Sequence, residues 1–178
     1  TLQEWAADVP KHGAQVKESA RLERLTNPAA SASAPTAGAT EYPLLVTYDL
    51  QVLVAEDSEV NQFIIRELLA KWGIEIAVAA NGLEAVEAFK ARKFDLILMD
   101  IQMPEMDGLE ATRQIRTLQS GEGLHAGCDI VGLSAHAMSG DRERYMAEGM
   151  VDYLTKPIRT EDLREVLDAC LEKKQGVS

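Results

Sequence analysis

The 178-residue chain is 46% hydrophobic and 26% charged, enough apolar sequence for one well-packed domain with a tail rather than two full domains. Acidic residues outnumber basic ones 29 to 18, a net charge of −11, which argues against a broad electrostatic grip on nucleic-acid phosphates. Apolar runs such as Leu96-Ile97-Leu98-Met99 fall far short of the roughly 20 residues of a membrane-spanning helix, so direct membrane contact is not expected.

Residues 1–26 open at Thr1, without an initiator Met or a signal-peptide pattern, and read as the tail of an upstream region within a longer chain. A short amphipathic helix through Trp5, Val16 and Leu22 fits there, interrupted by Pro10 and Gly13. Residues 27–49 read as a flexible linker: Asn27 to Thr40 carries neither charge nor bulky apolar side chains and cannot offset its ordering entropy. A domain over 50–174 follows, with 175–178 a C-terminal tail. Strands are expected at Val52–Ala55, Ile74–Ala79, Leu96–Met99, Ile130–Leu133 and around Tyr153–Leu154. Helical patterns over 59–71, 82–91, 107–119, 139–148 and 160–173 alternate with them, and Asn81-Gly82 and Gly149 supply turn and cap signals. Strands apolar on both faces need helices on both sides, which predicts a (βα)5 doubly wound parallel sheet, flavodoxin-like, in the order 2-1-3-4-5. Cys128 and Cys170 have no C-x-x-C spacing and suit packing positions in a reducing compartment.

In such a sheet, ligands gather at the carboxyl ends of the strands. The first strand runs into Glu56-Asp57, the third into Asp100, the fourth into Ser134 and the fifth into Lys156-Pro157. Crowded carboxylates repel unless a cation sits among them, and hard oxygen ligands suit Mg²⁺. A hydroxyl and an ammonium complement the oxygens of a phosphoryl group. Any one of these residues alone would be an ordinary cap or turn residue. Asp57, Asp100, Ser134 and Lys156 at four strand ends, 43, 34 and 22 residues apart, form a set that chance does not readily supply.

Over about residues 51–173 the chain resembles the receiver domain of two-component signalling proteins. The stretch from Ile97 to Gly108 (ILMDIQMPEMDG) is similar to that family's phosphoacceptor strand and loop, and Leu133 to Met138 (LSAHAM) with Asp152 to Pro157 (DYLTKP) to its fourth and fifth strand ends. The wording is most similar to receivers fused to hybrid histidine kinases. Two departures, Ser134 where many members carry Thr and Ala55-Glu56-Asp57-Ser58 in place of V-E-D-N, remove no functional group.

The resemblance implies that Asp100 accepts a phosphoryl group from a phosphohistidine. Mg²⁺ (or Mn²⁺) would be held by Asp57, Asp100 and the backbone carbonyl of Gln102, with Glu56 acting through a water. Lys156 and Ser134 would take phosphoryl oxygens, Tyr153 would turn inward as Ser134 moves, and the Lys156-Pro157 bond would be cis. Implied partners are the phosphohistidine-bearing domain of a kinase and a histidine phosphotransfer protein, in the cytoplasm, whether or not the parent chain is anchored in a membrane. This segment carries no kinase domain but would catalyse its own phosphorylation and dephosphorylation. On a 100° wheel the apolar residues of the first helix cover about 240°, wider than a core stripe. Ile65 and Leu69 are therefore candidates for the partner surface, with a broad core face as the equal alternative. His136 reads as an ordinary loop residue, and Gly121-Glu122-Gly123 is no nucleotide fingerprint. Two other functions compete. A phosphorylation-independent docking or autoinhibitory module would not need the complete acidic set and Lys156. A flavin binder would need a phosphate cradle where Glu56-Asp57-Ser58-Glu59 would repel an anion.

Overall fold

Five parallel strands in the order β2-β1-β3-β4-β5 form the centre of the structure, a computed structural model that describes residues 48–121, 124–135 and 140–176. They are β1 (Val52–Ala55), β2 (Ile76–Ala79), β3 (Leu96–Asp100), β4 (Asp129–Ser134) and β5 (Asp152–Thr155). Between and after them lie α1 (Glu59–Ala70), α2 (Gly82–Ala91), α3 (Gly108–Gly121), α4 (Asp141–Ala147) and α5 (Thr160–Gln175). The order is that of the expected doubly wound sheet. The expected tail over 1–26, nearly all of the linker, and His136 lie outside the described residues.

Period-two alternation splits the core into two layers. Leu53 and Ala55 of β1, Ile97 and Met99 of β3 and Ile130 of β4 pack with Val86, Phe89, Leu109, Ile115 and Tyr145. Val52, Val54, Leu96, Leu98, Val131 and Leu133 face the opposite way and pack with Ile65, Leu69, Leu163 and Leu167. Every residue of β1, β3 and β4 is buried, whereas the edge strands β2 and β5 are half-covered.

The ends of the elements follow local chemistry. Asn81, expected as a turn residue, caps α2: its side chain accepts the Glu84 N–H at 2.8 Å while Glu84 reaches back to the Ala80 N–H at 2.9 Å. The Asp107 carboxylate does the same for α3, accepting the Glu110 N–H at 2.8 Å. β2 starts at Ile76 rather than Ile74, because the Ile74 N–H bonds back to the Leu69 carbonyl and closes the end of α1. The packed region also begins before residue 50. Tyr48, assigned to the linker by composition, is buried, meets Trp72 edge-on at 6.2 Å and donates its hydroxyl hydrogen to Asp168.

Both cysteines are reduced and buried, and burial pushes the Cys128 thiol up to about 12 and Cys170 up to about 11. Among the described residues no helix is long and apolar enough to cross a membrane.

Candidate functional site

The strand registry brings the expected residues to one edge. β1 pairs with β3 from Val52↔Leu96 to Ala55↔Met99, so Glu56 and Asp57 leave β1 beside the end of β3 at Asp100. Asp100 is level with Leu133 of β4, and Ser134 is level with Thr155 of β5, so Lys156 follows directly. The Lys156 N–H donates to the Ser134 carbonyl at 2.8 Å, and the Lys156-Pro157 bond is cis.

Carboxylate oxygens of Glu56, Asp57 and Asp100 all lie within 4.8 Å of one another. Glu56 and Asp100 are buried and Asp57 is exposed, so the cluster opens to solvent on one side. The Lys156 ammonium bridges the two buried carboxylates, 2.6 Å from Glu56 Oε2 and 2.6 Å from Asp100 Oδ2. The remaining oxygens are held by amides: Glu56 Oε1 accepts from Asn61 Nδ2 at 2.8 Å and Asp100 Oδ1 accepts the Gln102 N–H at 3.2 Å. Gln62 Nε2 donates to the Glu56 backbone carbonyl at 2.7 Å. Sequence reasoning misses Asn61 and Gln62, because two amides in the first turn of a helix that also carries Glu59, Arg66 and Glu67 read as ordinary surface residues.

Electrostatics follow from this crowding. Burial raises the Asp100 carboxyl above the usual range, with the Lys156 and Gln102 hydrogen bonds pulling the other way and the Glu56 charge adding to the rise. Burial pulls the Lys156 ammonium down, but its hydrogen bonds to Asp100 and Glu56 outweigh that and raise it. One ammonium therefore faces three carboxylates, which leaves the cluster net negative. All-oxygen donors, two buried and one facing solvent, fit a hard dication of the Mg²⁺ type.

The balance predicts what Lys156→Met does. Breaking a buried ion pair strands its partners, and the 20% exposure of the Lys156 side chain tempers the cost to roughly 1–3 kcal/mol. In EDTA the variant is expected to melt below wild type at pH 7, with the gap narrowing at pH 5 as Asp100, which burial already raises, takes up a proton. Equal melting at both pH values would contradict the bridging role.

The β3–α3 loop is pinned by close backbone approach. A Cβ on Gly108 would stand 2.0 Å from the Asp100 carbonyl oxygen, so only glycine lets α3 start against the end of β3. Gly82 at the start of α2 donates its N–H to the Met106 carbonyl at 3.1 Å and fixes the other end of the loop.

Ser134 is buried at the end of β4, and its Oγ lies 3.3 Å from the Tyr145 hydroxyl. Tyr153 is half-buried, with its ring edge-on to Tyr145 at 5.6 Å. The partner surface requires a correction. Ile65 and Leu69 are 1% and 0% exposed and belong to the core, whereas Val60, Phe63 and Ile64 are 67%, 60% and 47% exposed. The helix is broadly apolar because it carries two faces, one packed on the sheet and one in solvent. Ile65 and Leu69 lie at the centre of the packed face.

Comparison with known proteins agrees with this geometry. The sequence model described as "Response regulator receiver domain" matches residues 52–168. "Hybrid signal transduction histidine kinase I" of Dictyostelium discoideum is 45% identical over 123 residues, which are 66% of this chain and 7% of that protein. The chain spans between 4% and 13% of the first curated relatives it matches. Among solved structures, the Saccharomyces cerevisiae complex of the histidine phosphotransfer protein Ypd1 with the receiver domain of Ssk1 matches with a TM-score of 0.67 and 34% identity, over 71% of this chain and 91% of the other. The receiver domain of sensor histidine kinase PA1611 from Pseudomonas aeruginosa, with a magnesium ion coordinated in its active-site cleft, matches with a TM-score of 0.61 and 34% identity, over 68% and 97%.

Proposed function

The chain belongs to the response regulator receiver domain family, and on that premise we propose that it accepts a phosphoryl group on Asp100 within a two-component phosphorelay. The observation that carries this reading is the Lys156 ammonium set between Glu56 and Asp100, in a carboxylate cluster open to solvent at Asp57. A carboxylate oxygen of Asp100 attacks the phosphorus of a phosphohistidine, the P–N bond breaks, and its electron pair leaves with the imidazole. Asp57, Asp100 and the Gln102 carbonyl would hold Mg²⁺, with Glu56 acting through a water. When bound, the ion supplies the charge neutralisation that lets an anionic donor approach. Lys156 shifts from the carboxylates to one phosphoryl oxygen, and Ser134 donates its hydroxyl hydrogen to another. Tyr153 then turns inward as Ser134 moves and alters the surface near β5.

The donor and the onward acceptor in this reading are phosphohistidine proteins: the kinase domain of a parent hybrid chain and a histidine phosphotransfer protein of the kind seen with the Ssk1 receiver. Val60, Phe63 and Ile64 on α1, which begins two residues after Asp57, replace Ile65 and Leu69 as the proposed docking face. The reading places the segment in the cytoplasm, joined by a linker to an upstream region. A receiver-like module that works without phosphorylation is less favoured, because every charged group of the reaction is present. The test is mass spectrometry after incubation with acetyl phosphate. With Mg²⁺ the protein is expected to gain one phosphoryl group, and with excess EDTA none. Equal labelling in EDTA would overturn the metal-assisted reaction, and no labelling under any condition would overturn the acceptor role.

A further inference from the structure

We propose that Tyr145 is a positioning residue for Ser134, holding its hydroxyl toward α4 in the unphosphorylated protein and opposing its transfer to the phosphoryl group. The inference rests on the reading of Asp100 as the phosphoacceptor and adds to it a restraint from a helix that carries none of the charged groups of the site.

Tyr145 is the buried residue of α4, and a buried phenol requires a hydrogen-bond partner. Among the described residues that partner is Ser134, at 3.3 Å between the hydroxyl oxygens. The two rings of Tyr145 and Tyr153 meet at 70° with centroids 5.6 Å apart. Tyr153 in turn lies under the Arg142 guanidinium at 5.9 Å, and Arg142 is paired with Asp152 at 2.9 Å. An unbroken series of contacts therefore runs from the end of β4 through two aromatic rings to an exposed ion pair.

When Ser134 turns to a phosphoryl oxygen, its hydroxyl gains a new partner, but the Tyr145 hydroxyl is left in the core without Ser134. The phosphorylated form bears that cost and the unphosphorylated form does not. Removing the hydroxyl while keeping the ring should thus favour the phosphorylated form. The gain should vanish when Ser134 has no hydroxyl, because nothing is then transferred. A residue that merely fills the core would show no such dependence on Ser134.

The experiment titrates beryllium fluoride, a tetrahedral mimic of the aspartyl phosphate, at saturating Mg²⁺ into wild type, Tyr145→Phe, Ser134→Ala and the double variant. Loss of one opposing hydrogen bond should tighten binding to Tyr145→Phe by roughly two- to tenfold, with no change from Tyr145→Phe in the Ser134→Ala background. Equal affinity for wild type and Tyr145→Phe, or an equal gain in both backgrounds, would overturn the inference. Tyr145→Met keeps bulk without the hydroxyl and gives the same comparison if Tyr145→Phe does not fold. The two readings fail differently. A wild-type protein that binds beryllium fluoride and gains a phosphoryl group, but shows no dependence on Tyr145, loses only this inference. A wild-type protein that does neither overturns the acceptor reading and this one with it.

Discussion

Asp100→Asn is expected to gain no phosphoryl group from acetyl phosphate with Mg²⁺, while wild type gains one. The amide keeps the size of the side chain but lacks the carboxylate charge on the oxygen that attacks phosphorus. Lys156 and the Gln102 N–H hold the Asp100 oxygens, and Glu56 is itself engaged by Asn61 and Lys156. Labelling of Asp100→Asn at the wild-type rate would refute the assignment.

The same variant is expected to change how stability depends on pH. Burial raises the Asp100 pKa in the folded protein, so its contribution to stability is complete below the unfolded carboxyl value of about 3.9 and is lost as pH rises through the folded value. Asp100→Asn cannot ionise and escapes that loss. In EDTA the melting temperature of the variant relative to wild type should therefore rise from pH 4 to pH 7. A difference that falls across this window would mean that Lys156 holds the Asp100 carboxylate more tightly than burial penalises it.

How much of this was visible in the chain differs from residue to residue. Strand ends were legible because a (βα)5 topology sends every carboxyl end to one edge, so Asp57, Asp100, Ser134 and Lys156 could be grouped without any coordinate. Distance-dependent roles were not legible. That Asn61 and Gln62 grip Glu56 depends on how the first turn of α1 leans over β1, and that Tyr145 reaches Ser134 depends on the placement of a seven-residue helix. Tyr48 was missed for a related reason: composition marks where a low-complexity stretch fades, whereas its partner Asp168 lies 120 residues away. On α1 the wheel reported the width of the apolar arc but not which part of it meets the sheet.

That last distinction sets up a large contrast in phosphotransfer. Val60, Phe63 and Ile64 lie on the solvent flank of α1, while Ile65 and Leu69 are locked into the layer formed with Val52, Leu98, Leu163 and Leu167. Replacing Phe63 and Ile64 with Lys removes apolar contact worth about 2–3 kcal/mol to a docked partner, and exchange with a histidine phosphotransfer protein is expected to fall on the order of a hundredfold. Acetyl phosphate requires no docking, so Asp100 should still label at the wild-type rate and the melting temperature should hardly move. Leu69→Lys is the control: a buried ammonium without a counter-charge should depress melting and both reactions together. If the exposed double variant exchanged phosphate as fast as wild type, the apolar flank of α1 would have no part in partner recognition. Its three exposed side chains would then be ordinary scattered surface apolar residues.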